Sequence, residues 1–342
     1  MTKLSSQSAI EKQNKKRTML TYVVSLCFLF ICIYFNLAVG SSKIHFHDVI
    51  DYFFTTHESR ATFLIHNVRM PRMIGGLIIG GALALAGLLM QAMTRNPLAS
   101  PQIFGVNAGA SFVVVLVTVL VPSLGNFATP LAFLGAFLGG LTVYVLSGST
   151  RQITPVKLAL AGMAIHLFFS SLTQGIILLN EDSNDTVMFW LVGSLNGLKW
   201  TQLLAVVPWI IVAVVVTLMI SRQLSIMELG DDIAKGLGQK TQLVRIIAGL
   251  LIVVLAGTSV SIVGPIGFIG LIVPHIVKHY VGQNYSVLIP LTFIIGADLL
   301  LLSDVLSRLI TFPFESPVGI VTSFVGAIYF LLFTLKGVKR ID

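Results

Sequence analysis

The sequence predicts an all-α polytopic membrane protein, a bundle of about ten transmembrane helices. Three observations support this: 55% of the 342 residues are hydrophobic, only 11% are charged, and the mean hydropathy is +0.92. A soluble domain carries roughly a quarter of its residues as charged side chains, and it could not bury this much apolar surface. Soluble enzymes and nucleic-acid-binding modules are therefore disfavoured, and nucleic acid is not an expected partner.

The basic balance of the chain is better explained by membrane topology. The net charge is +8, and cytoplasmic loops of membrane proteins collect lysine and arginine. The two cysteines, Cys27 and Cys32, lie five residues apart in the first apolar run. That spacing suits neither a disulfide nor a metal site, so we expect both to be packing residues.

The chain opens with a polar, basic stretch, residues 1–18, which we expect to be a cytoplasmic N-terminal tail. The apolar run that follows, 19–39, is too long for the core of a signal peptide, and no small-residue cleavage site follows it. It therefore predicts a retained first span. The later connections are mostly short, so residues 19–342 are expected to form a single transmembrane domain.

Ten apolar segments approach the length that a bilayer-crossing helix needs, roughly 20 residues. The segment 267–282 is the weakest, because it is short and contains Pro274 and His275. A broken or partly re-entrant helix is also expected there. The ten predicted spans are 19–39, 71–93, 107–122, 128–147, 158–179, 201–220, 244–263, 267–282, 286–306 and 317–335.

The distribution of lysine and arginine gives the expected orientation. An even number of spans places both termini on the same side. With the N-terminus inside, 16 of these basic residues fall on the inner side and 6 on the outer side. Because cytoplasmic loops show this bias, both termini are expected in the cytoplasm. Two longer connections result, an outer one at 40–70 and an inner one at 221–243.

Small residues recur at helix-packing spacing within two of the spans. Gly76, Gly80 and Ala84 are four residues apart in the second span, and Gly135 and Gly139 are four apart in the fourth. Such spacing lets the backbones of two helices approach closely. We therefore expect these positions to be tight helix contacts.

Two arginines, Arg69 and Arg72, flank the start of the second span on the predicted outer side. Cations at a helix N-terminus oppose the helix dipole, so another reason for them is needed. Anchoring to lipid headgroups and docking of an acidic partner outside the cell both remain open. Farther along, Asp304 and Arg308 are four residues apart with the acid first, which favours an ion pair on one helix face.

The inner segment 225–239 has the pattern of two short amphipathic helices separated by Gly230. Its apolar positions recur at helical spacing. Such a segment suits a lipid surface or a groove on a protein, and its acidic residues make anionic lipid the weaker partner. The apolar positions are Ile226, Leu229, Ile233 and Leu237, and the charged ones are Asp231, Asp232 and Lys235.

Several polar residues have roles that the pattern leaves open. Asp298 lies within the ninth span, where an unpaired carboxylate is costly, so it should line a pathway or pair with a neighbouring helix. His166, in the fifth span, is expected to be a hydrogen-bonded histidine of the bundle, with a substrate contact as the alternative. His45, His47 and Asp48 are expected to be solvated rather than to hold a metal.

Five stretches together resemble one family, the FecCD-type permease subunits of binding-protein-dependent ABC importers for iron–siderophore, haem and vitamin B12. The resemblance runs from about residue 60 to the C-terminus, and it is the combination of motifs that is specific. The motifs are the R-x-P-R start at 69–72, N-P-L-A-x-P at 96–101, the segment around 225–239, G-x-I-G-F-I-G-L-x-x-P-H at 264–275, and P-x-G at 317–319.

The resemblance implies a set of partners and a location. Two permease subunits, identical or related, would pair around a central pathway in a bacterial cytoplasmic membrane. A cytoplasmic ATPase dimer would bind the inner face, and an extracytoplasmic binding protein would deliver a ferric-siderophore complex. Import would follow ATP-driven alternating access. The haem and cobalamin branches of the family remain open as alternatives.

The resemblance also implies roles for individual residues. Binding-protein docking falls on Arg69, Arg72 and Arg308, and an inner gate falls on the stretch 153–156, with Thr154 and Pro155. Coupling to the ATPase falls on 225–239, centred on Glu228, Leu229, Gly230, Ala234 and Gly238.

No motif for chemistry accompanies these residues. The sequence has no G-x-x-x-x-G-K-[ST] loop, no H-E-x-x-H and no G-x-S-x-G. We therefore expect no catalytic residue, metal or cofactor in the chain, and ATP hydrolysis in the partner ATPases. An ion-coupled secondary transporter is a further alternative, although intramembrane acids are few. A membrane scaffold without transport is the third.

Overall fold

The computed structural model describes residues 2–40, 42, 44–54, 59–148, 155–180 and 184–338. Every regular element in these ranges is helical, which confirms the predicted all-α class. The α-helices are α1 (Thr2–Ala38), α2 (Phe46–Phe54), α3 (Arg60–Leu64), α4 (Met70–Thr94), α5 (Val106–Leu120), α6 (Ala128–Leu146), α7 (Pro155–Leu178), α8 (Asn184–Val192), α9 (Trp200–Met219), α10 (Ser221–Glu228), α11 (Asp231–Gly236), α12 (Thr241–Val263), α13 (Ile269–Val281), α14 (Tyr285–Ile310) and α15 (Val318–Val338).

The predicted spans each coincide with an apolar helix. Within the described ranges, seven helices are long and apolar enough to cross a membrane. Three shorter apolar helices, α5, α13 and the first part of α15, occupy the remaining predicted positions. The chain is therefore a membrane-spanning bundle of about ten helices. Its first helix, α1, begins at Thr2, so the predicted polar tail is a helical extension of the first span.

Two ends of the bundle are defined by α4. From Arg72 to Arg95 the chain rises about 35 Å, at about 1.5 Å per residue, so these two residues lie on opposite membrane faces. We call the end with Arg69, Arg72 and Arg308 the arginine end. The end with residues 221–240 is the segment end, since Arg95 contacts Asp231 there.

The centre of the bundle is built from α4 and α12, the spans with the largest buried fraction. Helices α12, α13 and α14 pack on α4, and α5 packs on α6 and α7. Glycines allow the closest contacts: a Cβ at Gly80 would overlap the Gly296 carbonyl oxygen, and one at Gly135 would overlap the Gly109 carbonyl oxygen. The predicted tight contacts at the small-residue positions are confirmed.

The connection between α4 and α5 folds back against the bundle. Arg95 and Gly105 both have left-handed backbone, and a single 3-10 turn, Pro101–Phe104, lies between them. The Pro101 ring approaches Gly270 of α13, and the Gly105 carbonyl approaches Gly139 of α6. The predicted irregular turn is therefore packed between helices.

The weakest predicted span, 267–282, is a short helix. Helix α13 has 13 residues and contains Pro274 without a break in the helix. The preceding residue, Phe268, is left-handed (φ 68°) and the segment 264–267 is irregular. Of the two expectations for this segment, the short helix is the one observed.

Candidate functional site

The three arginines predicted to dock a partner lie together at the arginine end, and they are buried. Arg69, Arg72 and Arg308 keep 5%, 5% and 3% of their surface exposed. Arg69 immediately precedes α4, Arg72 lies in the first turn of α4, and Arg308 lies near the end of α14. Since these helices pack along their length, residues 236 positions apart meet at one point.

A single carboxylate, Asp304, holds two of these arginines. Arg72 donates to it from Nε (3.0 and 3.1 Å to Oδ1 and Oδ2) and from Nη2 (2.9 Å to Oδ1). Arg308 donates from Nη2 to Oδ2 at 2.7 Å. The predicted pair of Asp304 and Arg308 on one face of α14 is therefore confirmed. Asp304 itself is fully buried.

Backbone carbonyls at the end of α1 and just after it accept further hydrogen bonds from Arg69 and Arg308. Arg308 Nη1 donates to the carbonyls of Asn36 (3.1 Å) and Val39 (2.5 Å). Arg69 donates to the carbonyls of Leu37 and Ser42. The Asn36 side chain donates to Asp304 Oδ2 at 3.0 Å, so the cluster ties α1 to α4 and α14.

Glu315 is the partly exposed member of this cluster. Its Oε2 lies 2.5 Å from Arg72 Nη1, and its side chain is 22% exposed. Asp304 and Glu315 supply two negative charges against three arginines, so the cluster carries one positive charge in excess. An anionic group arriving at this end of the bundle would meet that excess.

The segment predicted to couple with the ATPase consists of two short helices, α10 and α11. Gly230 separates them with φ +115°, and Gly238 follows α11 with φ +78°. Both angles favour glycine. This confirms the prediction of two helical pieces with a break at Gly230.

Glu228 anchors α10 to the bundle. Its Oε1 accepts from Lys278 Nζ at 2.9 Å and from the Tyr285 hydroxyl at 2.6 Å. Burial works against the charged carboxylate, but the hydrogen bonds from Lys278 and Tyr285 outweigh it, so the pKa of Glu228 lies below its usual range. The charged carboxylate of Glu228 therefore links α10 to Lys278 of α13 and to Tyr285 of α14.

Asp231 anchors α11 in the same way. It accepts from Arg245 of α12 at 2.7 and 2.9 Å, and it also pairs with Arg95 beyond the end of α4. Arg95 additionally donates from Nε to the Met227 carbonyl at 3.2 Å. Ala234 of α11 is fully buried. The two helices are thus fixed to four helices of the bundle.

The outward side of the segment is apolar. Leu229, Ile233 and Leu237 are 57%, 54% and 64% exposed. Asp232 and Lys235 are exposed beside them. We call the three apolar residues the segment ridge. Its apolar character and its exposure suit a groove on a protein.

The predicted inner gate adjoins the start of α7. Thr154 lies outside the described residues, and Pro155 is the first residue of α7.

The histidines of residues 45–48 were expected to be solvated. In α2, His47 Nδ1 lies 2.7 Å from Asp51 Oδ2. Within the part of the chain that the structure describes, no three metal-ligating side chains come together.

Two cavities open beside α8, one on either side. The first, of about 490 Å³, lies towards the arginine end, and its lining includes Glu315, Trp190 and Asn196. The second, of about 410 Å³, lies between α5, α7 and α8, and its lining includes His166. Motif reasoning missed this second cavity. The signal available was the spacing of four between His166, Ser170 and Gln174 on one face of a predicted span.

His166 differs from the expected hydrogen-bonded histidine. It is exposed on α7 at the second cavity, and its ring makes no hydrogen bond among the described residues.

Asp298, by contrast, is 4% exposed, beside Cys32 of α1. Its Oδ1 has no hydrogen-bond partner among the described residues. Asp298 therefore belongs to the contact between α1 and α14.

Comparison with known proteins gives one consistent result. The profile of the FecCD transport family matches residues 28–336. The Fe(3+)-citrate import system permease protein YfmD of Bacillus subtilis is 45% identical over 326 residues, covering 95% of this chain and 97% of that protein. The ferric enterobactin transport system permease protein FepD of Escherichia coli is 39% identical over 304 residues, covering 88% and 91%.

A solved structure has the same fold. It is described as an inward-facing conformation of a "metal-chelate type ABC transporter", and it superposes with a TM-score of 0.83 at 28% identity. The superposition covers 93% of this chain and 99% of that one. The helices and their order are therefore shared along nearly the whole length of both chains.

Proposed function

The chain belongs to the FecCD transport family, and from that membership we propose that it is the permease subunit of an ABC importer that carries a ferric-siderophore complex into the cytoplasm. The observation that supports this most strongly is the near full-length similarity to a permease named for Fe(3+)-citrate import. Other relatives are named for hydroxamate and enterobactin complexes of iron. The class of cargo they share is a ferric chelate.

The partners follow from the two ends of the bundle. A second permease subunit would complete the pathway, and a binding protein would deliver the chelate at the arginine end. An acidic side chain of that protein would compete with Glu315 for Arg72, because Glu315 is the partly exposed carboxylate on this arginine. The excess positive charge would favour the encounter. Under this proposal the arginine end faces outward and both termini lie in the cytoplasm.

A cytoplasmic ATPase dimer would bind the segment end. The segment ridge would fill a groove on the ATPase, and Glu228 and Asp231 would pass its movement to the bundle. The ion pairs of these two residues reach α12, α13 and the end of α4, and a hydrogen bond from Tyr285 to Glu228 reaches α14. ATP binding and hydrolysis in the partner would then alternate the side to which the permease pair opens. The chain itself would contribute no catalytic group.

Transport of a ferric chelate is tested by uptake in cells that lack this chain. Uptake of radioiron as ferric citrate, a ferric hydroxamate or a ferric catecholate is expected to fall to background for at least one chelate, and to return when the gene is restored. Labelled haem and cobalamin are the matched controls. Loss of haem or cobalamin uptake alone would replace the siderophore assignment, and unchanged uptake of every compound in a strain without redundant systems would contradict it.

If the segment ridge binds the ATPase, a substitution in the ridge should weaken ATPase binding without changing the folding of the permease. Leu229→Glu with Leu237→Glu should lower ferric-chelate uptake by about tenfold or more, since losing ~1.4 kcal/mol of docking energy weakens binding tenfold. The amount of permease in the membrane should be unchanged, because both side chains are exposed.

Copurification of the ATPase is the direct measurement, and Lys235→Glu is the control. It makes the same total change of charge on the same segment as the double variant does, and it leaves the three side chains of the segment ridge in place. Equal loss of ATPase in the control and in the double variant would mean that charge alone disturbs the segment. Full ATPase recovery with both variants would remove the ridge from the coupling role.

A further inference from the structure

Helices α4 and α14 each carry a residue at both ends of the bundle. On α4, Arg72 lies in the first turn at the arginine end, and Arg95 follows the last turn at the segment end. On α14, Tyr285 begins the helix at the segment end, and Asp304 lies at the arginine end. From Tyr285 to Asp304 the helix rises about 28 Å, at about 1.5 Å per residue. Each of the two helices therefore connects the arginine end to the segment end.

Close packing fixes these two helices to each other between the ends. A Cβ at Gly76 of α4 would overlap the side chain of Leu301, and a Cβ at Gly296 of α14 would overlap the Cβ of Ala84. A buried ion pair closes the same contact at the arginine end. Helices in such close contact cannot slide past each other without repacking, and tightly packed interiors transmit displacements. The α4–α14 pair therefore has the packing of one rigid unit.

The α4–α14 pair holds α10 through three hydrogen bonds at the segment end. The Tyr285 hydroxyl donates to Glu228 Oε1 at 2.6 Å, and the Tyr285 backbone N–H donates to Ser225 Oγ at 3.3 Å. Arg95 Nε donates to the Met227 carbonyl at 3.2 Å. A displacement of the pair would therefore either carry α10 with it or break these bonds.

Two other helices bind the same segment without reaching the arginine end. Arg245 of α12 pairs with Asp231 at 2.7 Å, and Lys278 of α13 pairs with Glu228 at 2.9 Å. Among the described residues, neither α12 nor α13 supplies a hydrogen-bond or ion-pair partner to the arginines of the arginine end. Helix α13 begins level with Gly87, past the middle of α4. These two basic side chains therefore hold the segment but do not connect it to the other end.

We propose that the α4–α14 pair moves as one rigid unit, and that Arg95 and Tyr285 are the positioning residues through which a binding protein at the arginine end and an ATPase at the segment end change each other's binding. This inference rests on the proposed function and adds a route of regulation between its two partner sites. A movement of the pair would shift Arg72, Asp304 and Arg308 together, and so change the charged cluster that the binding protein meets. Coupling between two binding sites is reciprocal, so the same route serves both partners.

The dissociation constant of the binding protein, measured with and without a non-hydrolysable ATP analogue, tests this route. The full transporter is assembled in lipid nanodiscs with the ATPase and the binding protein that together with this chain support ferric-chelate uptake. In the parent, the nucleotide should change the constant by about fivefold or more, and Arg95→Met should reduce that change to about twofold or less.

Arg245→Met is the matched control for Arg95→Met. It removes the same charge and an ion pair with the same carboxylate, and its side chain is the more buried of the two, 13% exposed against 34%. A merely structural role would make Arg245→Met the more damaging variant, whereas the proposed route predicts that it keeps the nucleotide-dependent change of the parent. Equal loss in the two variants, or no loss in Arg95→Met, would overturn the inference.

Tyr285→Phe is the second variant, because it removes one hydroxyl and keeps the buried ring. It should lower the nucleotide-dependent change by about twofold or more, while Lys278→Met, which also removes a donor to Glu228, should keep it. Should Arg95→Met fail to retain the ATPase, the comparison of Tyr285→Phe with Lys278→Met decides. A parent that binds both partners without any nucleotide-dependent change would overturn this inference alone. A parent that binds neither partner would overturn the proposed function as well.

Discussion

Replacing Asp304 with alanine is expected to lower the stability of the transporter by about 3–5 kcal/mol, because breaking a buried ion pair leaves its partner charge without compensation. Here two arginines would be left, Arg72 and Arg308, both almost fully buried. The Asn36 side chain would also lose the acceptor that ties α1 to α14. The expected result is a large drop in folded protein extracted from the membrane and in the temperature of unfolding in detergent.

Two further variants show whether the loss of stability in Asp304→Ala comes from leaving buried arginines without a carboxylate. Glu315→Gln is the milder comparison, expected to cost about 1 kcal/mol or less, since its side chain reaches solvent and Arg72 keeps Asp304. Replacing the group as a whole, with Arg72→Met, Asp304→Leu and Arg308→Met, should be less damaging than Asp304→Ala alone, because apolar side chains can substitute for a buried ion cluster. A triple variant less stable than Asp304→Ala would contradict this explanation.

Replacing Gly87 with alanine is expected to prevent α13 from packing on α4. A Cβ at this position would overlap the backbone of Gly270, including its carbonyl oxygen. Overpacking a core commonly costs about 1–3 kcal/mol. We expect a cost at or above the top of that range, because a backbone cannot rotate away as a side chain can. The loss should appear as reduced folded protein in size-exclusion chromatography.

Gly175→Ala is the matched control. It is the same substitution inside a spanning helix, and among the described residues no heavy atom outside the helix's own nearby backbone lies within 4 Å of the added Cβ. Alanine is a better helix former than glycine by about 1 kcal/mol, so this variant should be as stable as the parent or more so. Equal losses in the two variants would mean that glycine at position 87 serves the helix itself rather than its contact with α13.

The spans were predictable from the sequence because long apolar runs determine them. Each of the ten predicted segments contains an apolar helix. The pair Asp304–Arg308 was predictable for a related reason, since four residues on a helix bring two side chains together. The positions of the spans and the pair of Asp304 and Arg308 both follow from residues close together in the sequence, so neither required knowledge of the rest of the fold.

The contacts across the chain could not be predicted in the same way. Arg72 is 232 residues from Asp304, and no spacing rule connects them. The sequence therefore suggested lipid anchoring or partner docking for Arg69 and Arg72, and it gave no sign that both are buried. His166 looked like a bundle histidine because nothing in one helix shows where a cavity will form. The roles of the arginines in docking and of the segment ridge in coupling remain predictions.

The contacts that tie α1 to α4 and α14 have a consequence for how the protein is made. Asn36 meets Asp304, which follows 268 residues later. At about 5–20 residues per second, a ribosome adds them in roughly 15–50 s. During that interval the Asn36 side chain of the first helix lacks the carboxylate of Asp304 as its hydrogen-bond acceptor. A chain that ends before Asp304 would have no carboxylate of Asp304 to pair with Arg72. The arginine end can therefore form only after the ribosome has added Asp304.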